Sequence, residues 1–442
     1  MKSKSSINNK GIIKRLSLFL SANHGSKFRI NTIYILKLNI IAHIVVLLST
    51  PLLSRLYTSS DFGQFSFFSA TLAILVSFTT GRFDWSIPNA RSIGATSALF
   101  HIGLISTLVT SIAIALLLII LYVIKLPMIM ESSIGLMVFF FPLAMLSMGI
   151  TELFNGWCVR SGHLKLIGSS KIIQSLANTK LSILCGFFKF GTIGLIGSLV
   201  VSSCISVAFF ISSTRKLKNR LTQSSKTRMS AMFQRVRGEA VLSTTVSVAN
   251  TLSSTAGILM IGSFFTLQEL GWYALMQRLA LAPVGLISSS IGTSFWSTAA
   301  EYARTKAHGE LRKFYLRTTV QLSILIIPIV IACGMAPLFI GPIFGAKEWG
   351  PAGYVLLAMT PHIVGAIVFS STNHLIVYGR QSYQLISDII VILLTGISVF
   401  FTAKYNLGIV VCTAAISFSV LIGYILRFFL HLHANATHRN DI

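Results

Sequence analysis

Seven side chains stand out for the chemistry they would perform in an otherwise apolar chain: Arg82, Lys171, Asn178, Ser247, Asn250, Arg278 and Asp388. Charged and amide groups in a hydrocarbon environment need partners, so they turn toward a bundle interior or an aqueous cavity. The Arg278 guanidinium can grip a phosphate through two parallel hydrogen bonds, with snorkelling to the nearer surface as its alternative. Lys171 and Asn178 belong to a stripe at helical spacing that also holds Gln174, Ser175, Ser182 and Cys185. Lys180 lies nine residues from Lys171 and must point to the opposite face of a straight helix. Ser243, Ser247, Asn250 and Ser254 follow at steps of four, three and four, and Asn39, His43 and Thr50 form a third row. The three rows are expected to line a shared cavity, with plain helix-to-helix hydrogen bonding as the alternative for the hydroxyls. Asp388 can neutralise a lysine, titrate in a coupling step, or play a structural part near a helix end. Arg82 and Asp84 are expected to pair with each other. His43, His362 and His374 read as packing residues that respond to protons only in principle.

Such groups need helices long enough to cross a bilayer, and the composition supplies them. Only 11% of the 442 residues are charged, 53% are hydrophobic, and the mean hydropathy is +0.77. A soluble domain carries about 25% charged residues. No Asp, Glu, Lys or Arg occurs between Arg91 and Lys125, Lys189 and Arg215, Glu239 and Glu269, Arg317 and Lys347, or Glu348 and Arg380. Each gap exceeds the roughly 20 apolar residues that span a hydrocarbon core. Reading gap by gap predicts an all-α polytopic membrane protein. Its twelve spans fall at about 34–54, 62–80, 97–124, 135–157, 167–188, 193–213, 240–264, 271–297, 316–341, 352–377, 383–402 and 406–428.

The net charge of +25 is distributed as a topology signal. The N-terminal arm, the stretch from Arg215 to Arg237 and the 298–315 loop carry most of the basic residues outside the spans. The opposite face has only Arg55, Lys125, Lys189, Lys347 and Lys404. The positive-inside rule puts the basic face, and with it both termini, in the cytoplasm. Anionic membrane lipids, not nucleic acid, are the partners this pattern implies. The resulting organisation is a basic arm (1–32), a six-span half (33–213), a basic linker (214–238), a second six-span half (239–430) and a short tail (431–442).

The halves repeat. Asp61-Phe62-Gly63-Gln64-Phe65 opens the second span and Glu269-Leu270-Gly271-Trp272-Tyr273 opens the eighth, 208 positions later. Two six-span halves enter from the same side, so they form parallel repeats around a central cavity, a layout common in secondary transporters. Catalysis has no visible seat. The chain lacks a Walker A loop, a GxSxG elbow and an HExxH pair, and its five cysteines show no CxxC spacing. No cofactor and no metal site is implied.

Four motifs then carry a resemblance. Pro51-Leu52-Leu53-Ser54-Arg55-Leu56-Tyr57-Thr58-Ser59-Ser60-Asp61-Phe62-Gly63 resembles the first loop of bacterial Wzx-type polysaccharide flippases, whose superfamily also holds multidrug exporters. Arg82-Phe83-Asp84-Trp85-Ser86-Ile87-Pro88 and Gly271-Trp272-Tyr273-Ala274-Leu275-Met276-Gln277-Arg278-Leu279-Ala280, followed by Pro283, are similar to two further elements. Phe344-Gly345-Ala346-Lys347-Glu348-Trp349 resembles the family's Phe-Gly-x-x-Trp loop. The resemblance implies an inner-membrane flippase that moves undecaprenyl-pyrophosphate-linked oligosaccharide to the periplasmic leaflet by alternating access. It also implies, as partners, the polymerase and chain-length regulator of the same pathway. Arg278 and Lys171 are then the expected pyrophosphate contacts, Arg82 an entry contact, and Asn178, Ser247 and Asn250 partners of sugar hydroxyls. Asp388 is the candidate site for proton or cation coupling. A drug exporter of the same superfamily and a non-transporting component of glycan assembly stay open as alternatives.

Overall fold

The computed structural model describes residues 26–124, 139–214, 225–281, 284–285, 308–369 and 381–437, and its regular elements are all helices. The first half contains α1 (Ser26–Leu56), α2 (Ser59–Thr79), the single turn α3 (Phe83–Ser86), α4 (Ile93–Val123), α5 (Phe140–Ser161), α6 (Leu164–Phe187) and α7 (Gly191–Ser213). The second half opens with α8 (Lys226–Phe264) and a helix α9 over 267–281. It continues with α10 (His308–Leu325), α11 (Ile327–Gly334), α12 (Ala336–Phe344), α13 (Ala346–Trp349), α14 (Ala352–Ala358), α15 (Thr360–Val368), α16 (Gln381–Lys404) and α17 (Gly408–Thr437). Parts of the expected fourth, eighth and tenth spans, with Pro283, Trp296, His374 and Arg380, lie outside the described residues.

Among the described residues, seven helical stretches are long and apolar enough to cross a membrane, or eight if one bent pair counts as a span. Other expected spans lie partly outside the described residues or are too polar for this criterion. α5 falls short because it carries Glu152 and Asn155, and α6 because it carries Lys171, Gln174, Asn178 and Lys180. Two expected spans are also not single rods. Pro328 and Pro337 stand at the first turns of α11 and α12, and Pro361 at the first turn of α15, which bends 45° from the preceding helix. Proline lacks the amide that would continue the ladder, so the chain breaks where each one sits.

α8 differs in the other direction. It is 39 residues long and starts at Lys226, capped by the Ser225 hydroxyl on the Arg228 amide. The second part of the basic linker is thus the first three turns of the seventh-span helix.

The outside of the bundle is apolar, as a lipid solvent demands. Ile105, Val109, Ile112, Leu116 and Ile120 form one exposed stripe on α4, and Ile386, Ile389, Leu393 and Ile397 another on α16. Within the first half α6 packs on α1 and α7, and α5 packs on α2, α4 and α7. Within the second half α16 packs on α8 and α17, and α17 packs on α14 and α15. The halves meet where α8 packs on α2 and α4, and where α12 approaches α1.

At the face opposite the basic one, the repeated motifs meet each other. Thr58 caps α2 with Asp61 in a reciprocal box, and Thr266 caps α9 with Glu269 in the same way. Behind each box sits the repeat's glycine. A Cβ at Gly63 would overlap the Leu267 carbonyl, and one at Gly271 would overlap the Ser59 carbonyl. Only glycine lets these backbones approach so closely. The seal is reinforced from α13: the Glu348 carboxylate accepts from the Ser59 amide at 2.8 Å and the Ser59 hydroxyl at 2.5 Å. The buried Trp349 indole donates to the Ser54 carbonyl at 3.0 Å, and its ring meets Phe62 edge-on. Trp272 donates to the Glu348 carbonyl at 2.8 Å. The two halves are therefore joined tightly at this face.

Candidate functional site: a two-lobed polar cavity

The bundle holds two polar lobes, each of about 500 Å³, one lined by first-half helices with Gly285 and the other by second-half helices. The first is walled by His43 of α1, Lys171, Gln174, Ser175 and Asn178 of α6, and Ser202 of α7. The stripe read from helical spacing on α6 thus faces one space along its first two turns, while Lys180 is exposed elsewhere. Its far end does other work, since the Ser182 carbonyl accepts from Tyr57 at 2.6 Å. Ser175 donates to the Ala42 carbonyl at 3.0 Å, which fixes α6 against α1 and aims the neighbouring side chains into the lobe. The Asn178 Oδ1 is buried with no hydrogen-bond partner among the described residues. A buried acceptor without a donor costs roughly 1–3 kcal/mol, which a bound hydroxyl or water would recover.

The second lobe is walled by Asn250, Ser253 and Ser254 of α8, Tyr273 and Gln277 of α9, His362 of α15, Gln384 and Asp388 of α16, and Tyr424 and Arg427 of α17. Asp388 is fully buried and forms an ion pair with Arg427. Arg427 also donates from Nε to the Ser387 hydroxyl at 2.7 Å, and Asn250 reaches the second Asp388 oxygen at 3.4 Å. Gly285 contributes to the walls of both lobes, so they adjoin.

Sequence alone does not single out Arg427, because it falls at the end of the last span, where a basic residue reads as a tail anchor. The partner of Asp388 is therefore an arginine of the next helix, not a lysine. An acid early in one span and a base late in the following antiparallel span lie at the same depth, and that was the available signal.

The remaining candidates are placed less centrally. Arg278 is half-buried on α9 and is not on the described wall of either lobe; its neighbour Gln277 is. Ser247 is half-buried on α8, one turn before Asn250, and its carbonyl accepts from Thr251. Arg82 and Asp84 do not form the expected ion pair. Asp84 instead accepts from the Thr80 hydroxyl at 2.5 Å. Arg82 takes a left-handed backbone at φ 58°, and its guanidinium lies 4.4 Å from the Trp85 ring centroid. Its Nε is buried and unpartnered among the described residues. Glu152 on α5, which apolar patterning did not single out, lies within electrostatic range of Asp84, Lys171 and Arg82. The α8 row meets the second lobe through Asn250 and Ser254 and the α1 row meets the first through His43, while the Asn39 side chain lies outside what the structure describes.

The family described as polysaccharide biosynthesis protein matches residues 52–352, about two thirds of the chain. The chain belongs to that family. No curated protein matches it in sequence. Solved structures match this polysaccharide-biosynthesis protein over nearly its whole length. An inward-facing multidrug resistance MATE family transporter of the MOP superfamily aligns with TM-score 0.67 at 13% identity, covering 93% of this chain and 99% of the other. The lipid II flippase MurJ, in an inward closed conformation, aligns with TM-score 0.60 at 14% identity, covering 91% and 86%. A MOP superfamily transporter from Pyrococcus furiosus aligns with TM-score 0.57 at 15% identity, covering 92% and 95%. This member of the polysaccharide-biosynthesis family thus has the helical fold of multi-pass transporters.

Proposed function

We propose that the chain flips undecaprenyl-pyrophosphate-linked oligosaccharide repeat units from the cytoplasmic to the periplasmic leaflet, by alternating access, for O-antigen, capsule or a related surface glycan. The observation that carries this reading is the cavity. It holds two adjoining polar lobes, each with a basic side chain, inside an apolar bundle sealed at one face. A sugar headgroup needs hydroxyl and amide partners, and Asn178, Asn250, Gln174 and Gln277 offer them. A pyrophosphate needs a cation, and Lys171 offers one that makes no ion pair among the described residues, while Arg427 would share its charge between Asp388 and the cargo. The lipid tail stays in the bilayer. On this reading the basic face is cytoplasmic, in the inner membrane, and the Gly63–Gly271 seal is periplasmic. Arg82, near the basic face, meets the cargo at entry, while Arg278 and Ser247 are contacts made as the halves at 33–213 and 239–430 rock. Coupling at Asp388 would have to exchange a proton or cation against Arg427. An unchanged turnover with Asp388→Asn would remove that step. The polymerase and chain-length regulator of the pathway would receive the product.

A drug exporter shares the fold but suits the cavity less well. Organic cations call for an available acid, and the acid on the described walls, Asp388, is already neutralised by Arg427.

Lys171→Gln will reduce surface glycan about tenfold or more in cells that depend on this chain, because one charge-assisted contact contributes about 1.5–3 kcal/mol. Lys180→Gln, on the other side of α6, will leave it unchanged. Surface polysaccharide at matched expression is the readout, and full activity of Lys171→Gln would count against a pyrophosphate contact there.

A further inference from the structure

A third cavity, of about 470 Å³, opens at the basic face between the α3–α4 corner and the first turns of α8. Among the described residues, three arginines, Arg91, Arg228 and Arg235, line it with one acid, Glu239. Their setting adds to the positive potential. α4 begins here, capped by Ser92 on the Ala95 amide at 3.1 Å, with no acidic residue in its first turn. The positive end of the helix dipole therefore points at the cluster. The Arg228 guanidinium packs onto that turn so closely that a Cβ at Gly94 would overlap it. Like-signed groups gathered in this way raise the local positive potential, which favours an anion placed among them.

We propose that this pocket binds the phosphate headgroup of a lipid in the leaflet at the basic face. Three observations favour a lipid over a free ion. The floor of the pocket is apolar, from Leu99, Met232 and Val236. Trp85, Ile93 and Phe233, each adjacent in sequence to a lining residue, are exposed as large apolar groups. The pocket also lies at the membrane-boundary end of a bundle whose basic residues concentrate there, where anionic headgroups are found. The site is separate from the two cavity lobes and stands whatever cargo those lobes carry. Its occupant would touch both α4 of the first half and α8, the helix that leads into the second.

The test uses the purified full-length chain in neutral detergent, titrated with dioctanoyl phosphatidylglycerol, dioctanoyl phosphatidylcholine, farnesyl pyrophosphate and inorganic phosphate. The anionic lipid is expected to bind at least tenfold more tightly than the zwitterionic one. Arg228→Gln combined with Arg235→Gln should lower that affinity at least tenfold. Gly94→Ala, which displaces Arg228 but keeps its charge, should lower it severalfold and serves as the deciding variant if the double one does not fold. Preference between phosphatidylglycerol and farnesyl pyrophosphate tells a bilayer phospholipid from a prenyl carrier, both being phosphate lipids. Inorganic phosphate binding as tightly as the lipids, or variants that keep the wild-type preference, would overturn the proposal.

Discussion

A valine at Gly271 will abolish transport and leave the face opposite the basic one permanently open. The position has no slack: even a single added carbon would fall onto the Ser59 backbone carbonyl, which is held by the first turn of α2 and by Glu348. A flexible side chain could move aside, but a helical backbone cannot. Overpacking typically costs 1–3 kcal/mol and more where the obstacle is rigid. Inverting a 99:1 equilibrium takes about 5.5 kcal/mol. A Cβ 1.8 Å from the Ser59 carbonyl oxygen is far inside contact distance, so valine should clash well beyond the typical range and reach that figure. Labelling of Ser54→Cys by a membrane-impermeant maleimide, measured over the parent protein, is the check. Ser54 is buried beneath Trp349 in the closed arrangement, so reactivity should rise strongly with Gly271→Val. Gly197→Ala is the control, because nothing lies within 4 Å of a Cβ there, and it should change neither labelling nor transport.

Asp388→Ala will destabilise the protein by about 3–5 kcal/mol, the usual cost of breaking a buried ion pair by removing one partner. Asp388 is fully buried and the Arg427 side chain is 12% exposed, so the abandoned guanidinium has little water to turn to. Thermal stability in detergent should fall accordingly. Asp388→Asn with Arg427→Gln replaces both charges by amides of similar shape and should recover most of that stability. Transport should not recover, because the lobe has lost the guanidinium that would share its charge between Asp388 and the cargo. If the double variant restores both stability and transport, the pair is a structural brace only.

The sequence signals and the structure agree where a single helix decides the outcome. Helical spacing put Lys171, Gln174, Ser175 and Asn178 on one face and Lys180 on another, and α6 turns that face into a cavity lobe. The repeated Gly63 and Gly271 were visible as equivalent positions. Their mutual contact was not, because pairing across the repeat axis depends on how the halves stand relative to each other. The same reason hid Arg427: a partner on another helix has no spacing in the sequence that announces it. Asp84 was misjudged for a local cause. The left-handed turn at Arg82 carries that guanidinium over Trp85, while Thr80, four residues before Asp84, supplies the hydrogen bond instead. Charge gaps located apolar stretches well but were blind to proline breaks, so α10–α12 and α14–α15 read as unbroken rods. They also made the polar helices α5 and α6 look equivalent to the lipid-facing α4, although burying polar faces is what lowers their apolarity.

The central claim is tested most directly by the leaflet in which the lipid-linked oligosaccharide resides in cells that lack this chain and have no redundant flippase. The intermediate should accumulate facing the cytoplasm, and the wild-type chain should return it to the periplasmic face. A well-expressed Lys171→Gln variant should do so about tenfold more slowly or worse. If the intermediate reaches the periplasmic face normally without this chain, the flippase reading is wrong, and the cavity must serve another cargo or a later step of glycan assembly.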